Sequence, residues 1–226
     1  DRFVVLTKAD KEDWEKVRPD VEQIYNPLTF VSDEVSPLTG KRCVAVGRLE
    51  AQKNFKDLIK AWKTVDGRHP DWTLSIFGKG SQENELRNLI KDSGLAGKVI
   101  LEGGTSDIRK ELLDSSCLVM SSRYEGFPMV LLEALTTGLP IVSYDCPKGP
   151  SEIVTIGANG YLAKVGDTGT LAQGICSVIA NEDLRRRFGA ESKRRSENFT
   201  LEKTMERWDR LFSSLTTSRT RTSPEG

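Results

Sequence analysis

Short apolar runs alternate with longer amphipathic stretches through the middle of this chain. The unbroken apolar runs are typical of strands buried on both faces, and the stretches between them carry apolar residues at helical spacing. Strands that alternate with helices in this way form a parallel sheet covered by helices on both faces, so the expected fold class is α/β. The pattern predicts strands at 42–46, 72–77, 98–102, 117–121, 139–143 and 161–163, and helices at 54–65, 82–93, 107–115, 129–137, 149–155 and 168–180.

The segments on either side of this regular region are less uniform. Residues 29–41 are polar and interrupted by Pro37 and Gly40, which is typical of a linker. Helical patterns continue near the C-terminus, and the last one carries an apolar stripe that includes Trp208. The flanking elements are strands at 3–6 and 21–25, helices at 9–17, 181–195 and 201–215, and a polar tail at 216–226 that is expected to be disordered.

Ligands of parallel α/β sheets bind beyond the carboxyl ends of the strands, where loops lead into helices. Within the run R-Y-E-G-F-P-M-V-L-L-E-A-L-T-T-G-L-P at 123–140, Glu133 is the only charged residue between Glu125 and Asp145. A carboxylate in so apolar a helix needs a partner. The loops at strand ends, where the other candidate residues also fall, are 47–53, 78–81, 103–107, 122–128 and 144–149.

Glu125 and Glu133 are separated by seven residues, with G-F-P after the first and E-A at the second. This arrangement resembles the signature of the C-terminal lobe of family 4 glycosyltransferases of the GT-B fold, and the resemblance extends over residues 40–180. It implies a Rossmann-like lobe that binds a nucleoside-diphosphate sugar donor, with UDP as the carrier. It also implies a retaining, metal-independent transfer of a hexose or N-acetylhexosamine to a glycan or lipid-linked acceptor in surface polysaccharide synthesis.

The same resemblance assigns roles to the two glutamates. Glu133 would accept hydrogen bonds from the vicinal hydroxyls of the ribose, and a hydrogen bond to a charged group is worth about 1.5–3 kcal/mol. Glu125 would reach hydroxyls of the donor sugar or stabilise charge at the reacting carbon. Backbone N–H groups of Gly126, Phe127 and Met129 would face the sugar and phosphate. Taken singly, each glutamate is more often a solvated surface residue, and only the pair with its neighbours favours a site.

Residues 47–54 read G-R-L-E-A-Q-K-N and lead from a strand into a helix. Arg48, Lys53 and the N–H groups at the helix start could hold a diphosphate, although two solvated surface cations would look the same. The pattern resembles the pyrophosphate-binding motif of the same family, with Gly47 at the strand end, and this favours phosphate binding. Arg48, Lys53 and Glu125 are therefore the candidate catalytic residues, because the two cations would stabilise the leaving diphosphate.

The remaining loops carry weaker signals. The G-K-G at 78–80 lacks the third glycine of a dinucleotide fingerprint, and it fits either a ligand-facing turn or one that only needs flexible dihedrals. Asp107 is predicted to cap the helix that follows it. By resemblance, Ile108 lines the nucleotide base. Lys148 would either approach the donor phosphates or be only a loop cation, and these alternatives stay open.

Composition narrows the function further. The 226 residues carry 33 basic and 33 acidic side chains, which argues against a general nucleic-acid or membrane-coating role. The four cysteines show no C-x-x-C spacing and indicate reduced core residues of a cytoplasmic protein. His69 is the only histidine, so a histidine-activated nucleophile is not supported. The sequence has no D-x-D pair, and neither a metal nor a cofactor is expected.

The resemblance also sets the expected domain order. Residues 1–28 resemble the last elements of an N-terminal acceptor lobe, 29–41 form the linker, 42–198 the donor-binding lobe, and 199–215 a helix that returns toward the first lobe. The chain would then be the donor-binding half of a longer enzyme and inactive alone. Its partner would be the missing N-terminal lobe, and strand 3–6 would have lost its sheet.

Two further classes of function, one enzymatic and one not, remain as alternatives to sugar transfer. A sugar-nucleotide epimerase or a phosphorylase would have the same architecture, and a nucleotide-sugar-binding module would lack the chemistry altogether. The expected location is the cytoplasm or the inner face of the membrane. Peripheral membrane contact of the full protein is left open, because the basic residues of the C-terminal tail are too few to argue it.

Overall fold

The computed structural model describes residues 2–220. Each strand and helix predicted from the apolar pattern is present, with ends displaced by a few residues because caps and local hydrogen bonds set the exact boundaries. The strands are β1 (Phe3–Val5), β2 (Val21–Gln23), β3 (Arg42–Val46), β4 (Thr73–Phe77), β5 (Val99–Gly103), β6 (Cys117–Met120), β7 (Ile141–Tyr144) and β8 (Gly160–Ala163). The helices are α1 (Lys8–Glu15), α2 (Phe55–Arg68), α3 (Glu83–Asp92), α4 (Ile108–Leu113), α5 (Met129–Thr136), α6 (Pro150–Ile153), α7 (Thr168–Ala180), α8 (Glu182–Ser196) and α9 (Leu201–Thr220), with a 3-10 turn at Glu197–Phe199.

The main sheet has six parallel strands in the order β5-β4-β3-β6-β7-β8. The first strand of the series, β3, lies in the middle, so the chain winds outward to one edge and then crosses back to build the other half. Crevices that bind ligands in such sheets open at this switch point, here between the carboxyl ends of β3 and β6. The predicted α/β class, a parallel sheet with helices on both faces, is confirmed.

Neighbouring residues on each strand face opposite sides of the sheet, as the pleat requires. On β3, Cys43 and Ala45 pack in a cluster with helices α2, α3 and α7, whereas Val44 packs with helices α4, α5 and α6. Trp62 of α2 and Leu131 of α5 are fully buried on the two faces. Burying such side chains stabilises the fold by roughly 1.5–3 kcal/mol each, which explains the unbroken apolar runs in the sequence.

A small βαβ unit precedes the main sheet. Strand β1 pairs in parallel with β2, in a register that places Phe3 opposite Val21, after the crossover through α1. Strand 3–6, which was expected to have lost its sheet, thus keeps one partner strand, β2, in a two-stranded sheet. The physical reason is local, because α1 returns the chain so that β2 supplies the hydrogen-bonding partners that β1 needs.

Glu152 of α6 fixes this unit to the main lobe. Its carboxylate accepts hydrogen bonds from the backbone N–H groups of Lys8, at 2.9 Å, and Ala9, at 3.4 Å, and from the hydroxyl of Tyr25, at 2.7 Å. The first N–H groups of a helix have no partners within it, and its N-terminus favours a negative charge. Glu152 thus caps α1 from outside.

The linker at 29–41 contains no regular secondary structure but follows the lobe surface closely. Ser32 N donates to Thr136 Oγ1 of α5 at 3.0 Å, and Lys193 Nζ of α8 donates to the carbonyl of Ser32. Leu38 is buried and belongs to the core cluster on the α5 side of the sheet. The linker is therefore an ordered strap across α5 and α8.

Helix α9 continues to Thr220, beyond the predicted end at residue 215, so the first part of the predicted disordered tail is helical instead. No glycine or proline lies between Leu201 and Pro224, and helical hydrogen bonds propagate readily through polar residues. The rest of that tail, residues 221–226, lies outside the described residues. Trp208 is half-buried and stacks on Phe212, which is 54% exposed. None of the helices in residues 2–220 has the length and apolar character needed to cross a bilayer.

Candidate functional site

The loops that follow β3 and β6 are joined by three hydrogen bonds that end on backbone carbonyls. Ser121 Oγ donates to the carbonyl of Lys53 at 2.8 Å, and Arg123 N donates to the carbonyl of Gln52 at 2.8 Å. Gln52 Nε2 donates to the carbonyl of Tyr124 at 2.9 Å. Because β3 and β6 are adjacent, these bonds bring both candidate loops into one unit at the switch point of the sheet.

An ion pair lies across the same junction. Lys53 Nζ donates to Glu125 Oε1 at 2.6 Å, and the two side chains are only 18% and 9% exposed. The sequence analysis assigned Lys53 to the diphosphate and Glu125 to the sugar, and it did not predict a contact between the two side chains. The structure puts them in direct contact, so the ammonium is already held in place by a carboxylate.

Glycines allow the loops to approach one another. A Cβ atom on Gly47 would lie 3.0 Å from the Lys53 side chain, which therefore crosses directly over the Gly47 backbone. A Cβ atom on Gly78, whose φ is +155°, would lie 1.8 Å from the carbonyl oxygen of Gly47. A Cβ atom on Gly80 would similarly lie 2.5 Å from the carbonyl oxygen of Leu49. The glycines of the G-K-G turn are thus needed because the backbone of this turn packs directly against the backbone of the loop after β3.

A hollow of about 320 Å³ opens beside these glycines, over the ends of β3 and β4. Three of the predicted site residues line it: Gly47, Ile108 at the start of α4, and Glu133 from α5. The other lining residues are Val46, Phe77, Gly78, Gly104 and Thr105. An apolar floor, exposed backbone and a single carboxylate could accommodate a flat ring and accept hydrogen bonds from hydroxyl groups.

Glu133 is half-buried in this hollow and accepts a hydrogen bond from Thr29 Oγ1 at its Oε1 atom, at 2.8 Å. Burial raises the pKa of the Glu133 carboxyl, and the hydrogen bond from Thr29 opposes that shift. A carboxyl group whose pKa is raised by burial in a hollow is typical of functional sites.

The other predicted residues lie outside the hollow. Arg48 is exposed, and its Nη2 atom lies 3.5 Å from Gln52 Oε1. Phe127 is buried, and its ring stacks on Tyr25 at 5.1 Å, so only its backbone could face a ligand. Met129 is half-buried and packs against the core as the first residue of α5.

Gly126 differs from the other glycines of the site. A Cβ atom on it would meet no heavy atom of residues 2–220 within 4 Å, and its φ is not in the left-handed region. The fold therefore does not require glycine here. Helix α5 begins directly after this turn, and its first turn, all of it described, carries no acidic side chain. The start of a helix favours an anion, and no acidic side chain of that first turn opposes one.

Comparison with known protein families shows which family the chain belongs to. The family model described as Glycosyl transferases group 1 matches residues 30–195, which include the whole six-stranded sheet and both loops. The chain belongs to this family. Its parallel sheet flanked by helices is that of GT-B glycosyltransferase structures.

Related proteins of this glycosyltransferase family match most of the chain. An uncharacterized glycosyltransferase of Haemophilus influenzae is 33% identical over 211 residues, which are 92% of this chain and 60% of that protein. The amylovoran biosynthesis glycosyltransferase AmsD of Erwinia amylovora is 33% identical over 180 residues, with 80% and 50% covered. The crystal structure of a Staphylococcus aureus TarM variant in complex with UDP has a TM-score of 0.87 at 26% identity, with 93% and 43% covered. The chain thus spans about half the length of these relatives.

Two of the weaker sequence signals are decided by the structure. Asp107 Oδ1 accepts from Lys110 N at 3.0 Å, so its predicted role as a helix cap is confirmed. Lys148 pairs with Asp10 and Asp13 of α1, which favours the interpretation as a loop cation over one that approaches donor phosphates. Both acids come from the N-terminal βαβ unit, which local sequence around Lys148 cannot indicate.

Cys146 lies close enough to the ion pair for the charge of Glu125 to act on its thiol. Burial, together with the negative charge of Glu125, raises the pKa of its thiol to about 12. The four cysteines are buried free thiols, as predicted. Among the described residues, no group of three or more histidine, cysteine or acidic side chains is arranged to hold a metal ion.

Sequence analysis missed Thr29 and Gln52, both of which contact predicted site residues. Gln52 lies inside the G-R-x-x-x-x-K-N pattern, so the pattern itself marked its position. Thr29 is one of several polar residues in the linker, and nothing in the local sequence distinguishes it. Its contact with Glu133 joins residues 104 positions apart.

Proposed function

We propose that this lobe binds a nucleoside-diphosphate sugar, with UDP as the carrier, for a retaining and metal-independent glycosyltransferase. The transferred group is a hexose or N-acetylhexosamine, and the acceptor is a glycan or lipid-linked saccharide of surface polysaccharide synthesis. One observation carries the proposal. Glu133, a half-buried carboxylate, lines the same hollow as Gly47, and the side chain of Lys53, whose ammonium is fixed by Glu125, packs against Gly47 at the switch point of the sheet.

The nucleoside occupies the hollow in this proposal. The base packs against Ile108 and the exposed backbone near Thr105, and the ribose lies against Glu133. A carboxylate presents two acceptor oxygens, which match the two donors of a vicinal diol. The half-buried position strengthens such hydrogen bonds, because the surrounding dielectric is lower than that of water.

The diphosphate lies next to Gly47, within reach of Lys53 and Arg48. Lys53 is fixed by Glu125, while Arg48 is exposed and free to move onto a phosphate. In this proposal the N–H groups of the turn at Gly126 and of the α5 N-terminus add partial positive charge. These groups stabilise the charge that develops on the leaving diphosphate, which is the main chemical contribution of the lobe.

Glu125 has two roles in this scheme. It holds the Lys53 ammonium in position before the donor arrives. It then accepts hydrogen bonds from donor-sugar hydroxyls, or stabilises positive charge at the reacting carbon, once the phosphate shares the ammonium. Glu125 is therefore proposed as the residue that links phosphate binding to the position of the sugar.

The names of the relatives support the substrate class, and their lengths support a division of labour. The Erwinia relative is named for amylovoran biosynthesis, and the TarM structure contains UDP. We propose that this chain is the C-terminal, donor-binding half, that residues 1–28 belong to an acceptor lobe, and that the enzyme works in the cytoplasm or at the inner membrane face. Sugar transfer by the 226-residue chain alone would overturn this division.

Calorimetric titration of the chain with UDP, GDP and ADP tests donor binding. We expect UDP to bind, and Glu133→Ala and Lys53→Ala each to weaken it at least about tenfold, since both remove contacts with charged groups. Glu85→Ala and Lys60→Ala, on exposed helix surfaces, are the matched controls. Unchanged UDP affinity in both site variants would show that the nucleotide binds elsewhere.

A further inference from the structure

Glu133 is held by a residue from outside its own helix. Thr29 Oγ1, at the start of the linker, donates to Glu133 Oε1 at 2.8 Å. The linker has no role in the donor site described so far. The contact nevertheless fixes one oxygen of the carboxylate that lines the hollow.

The backbone around Thr29 is anchored on both sides. Leu28 is buried, and its N–H donates to the carbonyl of Phe199 at 2.7 Å. Ser32 is fully buried, and its N–H donates to Thr136 Oγ1 at 3.0 Å. Thr136 lies one turn after Glu133 on α5, so the strap holds the Thr29 hydroxyl at a set position over that helix.

We infer that Thr29 is a positioning residue for the nucleotide, which orients the Glu133 carboxylate toward the two hydroxyls of a ribose. The inference rests on the proposed function, because it needs a ribonucleotide in the hollow. Each carboxylate oxygen has two lone-pair sites. Thr29 occupies one site on Oε1, and the second site of Oε1 and both sites of Oε2 remain for the ligand.

The hydroxyl also favours the ionised carboxylate. Burial favours the neutral carboxyl, and the Thr29 hydrogen bond counteracts it. A neutral carboxyl would direct a proton at one ribose hydroxyl and lose one acceptor. Thr29 therefore preserves the form of Glu133 that can accept from two hydroxyls at once, and the ligand class it selects is a ribonucleoside diphosphate rather than a dideoxy one.

The test compares UDP with 2′,3′-dideoxy-UDP on the full chain and three variants. Thr29→Val removes the hydroxyl and keeps the shape, Thr29→Ser keeps the hydroxyl, and Thr73→Val is the control. The Thr73 hydroxyl bonds to the Lys41 carbonyl at the amino end of β4, away from the hollow. Calorimetric titration gives the affinities, and melting temperatures show that each variant is folded.

We expect Thr29→Val to weaken UDP binding severalfold, because Glu133 loses the contact that orients its carboxylate, and to leave dideoxy-UDP binding unchanged. Thr29→Ser and Thr73→Val should bind both nucleotides as the unaltered chain does. Equal UDP affinity in Thr29→Val and the unaltered chain, while the latter still prefers UDP to dideoxy-UDP, would overturn the inference and spare the proposed function. No preference for UDP in the unaltered chain would overturn both.

Discussion

Lys53 Nζ lies 2.6 Å from Glu125 Oε1, although the two residues are 72 positions apart. The pair connects the loop after β3 with the loop after β6, and little of either side chain is exposed. A pair of this kind has two consequences. It fixes the geometry of the phosphate-binding cation, and it makes each partner dependent on the other, because a charge left alone in a desolvated place is unfavourable.

Removing both partners of this pair should destabilise the protein by less than the sum of the two single removals. We expect Lys53→Met and Glu125→Gln each to lower the free energy of unfolding by about 1–3 kcal/mol, less than for a fully buried pair. The double variant should lose less than the sum of the two. Urea titration of the four proteins measures this coupling as a double-mutant cycle. Strictly additive losses would mean that the contact contributes nothing to the fold.

Substitution by alanine should affect mainly UDP binding at Gly126 and mainly stability at Gly78. Gly126→Ala should change the free energy of unfolding by less than about 0.5 kcal/mol, since the methyl group has space, but weaken UDP binding severalfold by blocking close approach to the turn. Gly78→Ala should destabilise by about 3 kcal/mol, because its Cβ would overlap the Gly47 carbonyl.

A matched control exists at Gly67, an exposed helical glycine with nothing within 4 Å of its Cβ position. Gly67→Ala should stabilise the chain by about 0.5–1 kcal/mol and leave UDP affinity unchanged. Urea titration and calorimetry together separate the three variants. If Gly126→Ala binds UDP normally, the turn does not face the ligand.

Glu133 should make stability depend on pH in a defined direction. Its folded pKa is raised above the ordinary 4.5, so its contribution to stability is fully present below that pH and is lost as the pH rises through the folded pKa. Glu133→Gln carries no charge and should therefore melt at a higher temperature than the unaltered chain at pH 7. The difference should shrink toward pH 4, as melting curves across that range would show.

The exposed Glu85→Gln provides the baseline for this comparison. A gap for Glu133→Gln that stays constant with pH, or widens in acid, would contradict the raised pKa. The same titration predicts weaker UDP binding in acid, because the ribose hydroxyls need an ionised acceptor.

Arg185 and Arg186 are neighbours in sequence with different structural roles. Arg185 is only 6% exposed and donates to the carbonyls of Ile179, at 2.7 Å, and Val178, at 3.2 Å, in the last turn of α7. Arg185→Gln should destabilise by about 2–3 kcal/mol, because these buried carbonyls lose charged donors. Arg186→Gln removes only an exposed pair with Glu182 and should cost less than about 0.5 kcal/mol. Equal urea midpoints for the two variants would refute the assignment.

The pattern of apolar residues predicted the strands and helices well, because the burial of consecutive residues follows the period of the local structure. The helix predicted at 129–137 is α5 at Met129–Thr136, and the strand predicted at 42–46 is β3 at Arg42–Val46. Apolar runs had to be buried on both faces, and this required a parallel sheet with two helical layers. The candidate loops followed from the same rule, since ligands bind at the carboxyl ends of such strands.

The sequence by itself determined the α/β class, the position of each strand and helix, and which loops carry Gly47, Lys53, Glu125 and Glu133. Only the tertiary structure decided that Lys53 contacts Glu125, that Thr29 holds Glu133 and that Lys148 faces α1. These contacts depend on which strands become neighbours and how the linker lies across α5. Periodicity reports whether a residue is buried or exposed, but a hydrogen bond between distant residues needs both positions in space.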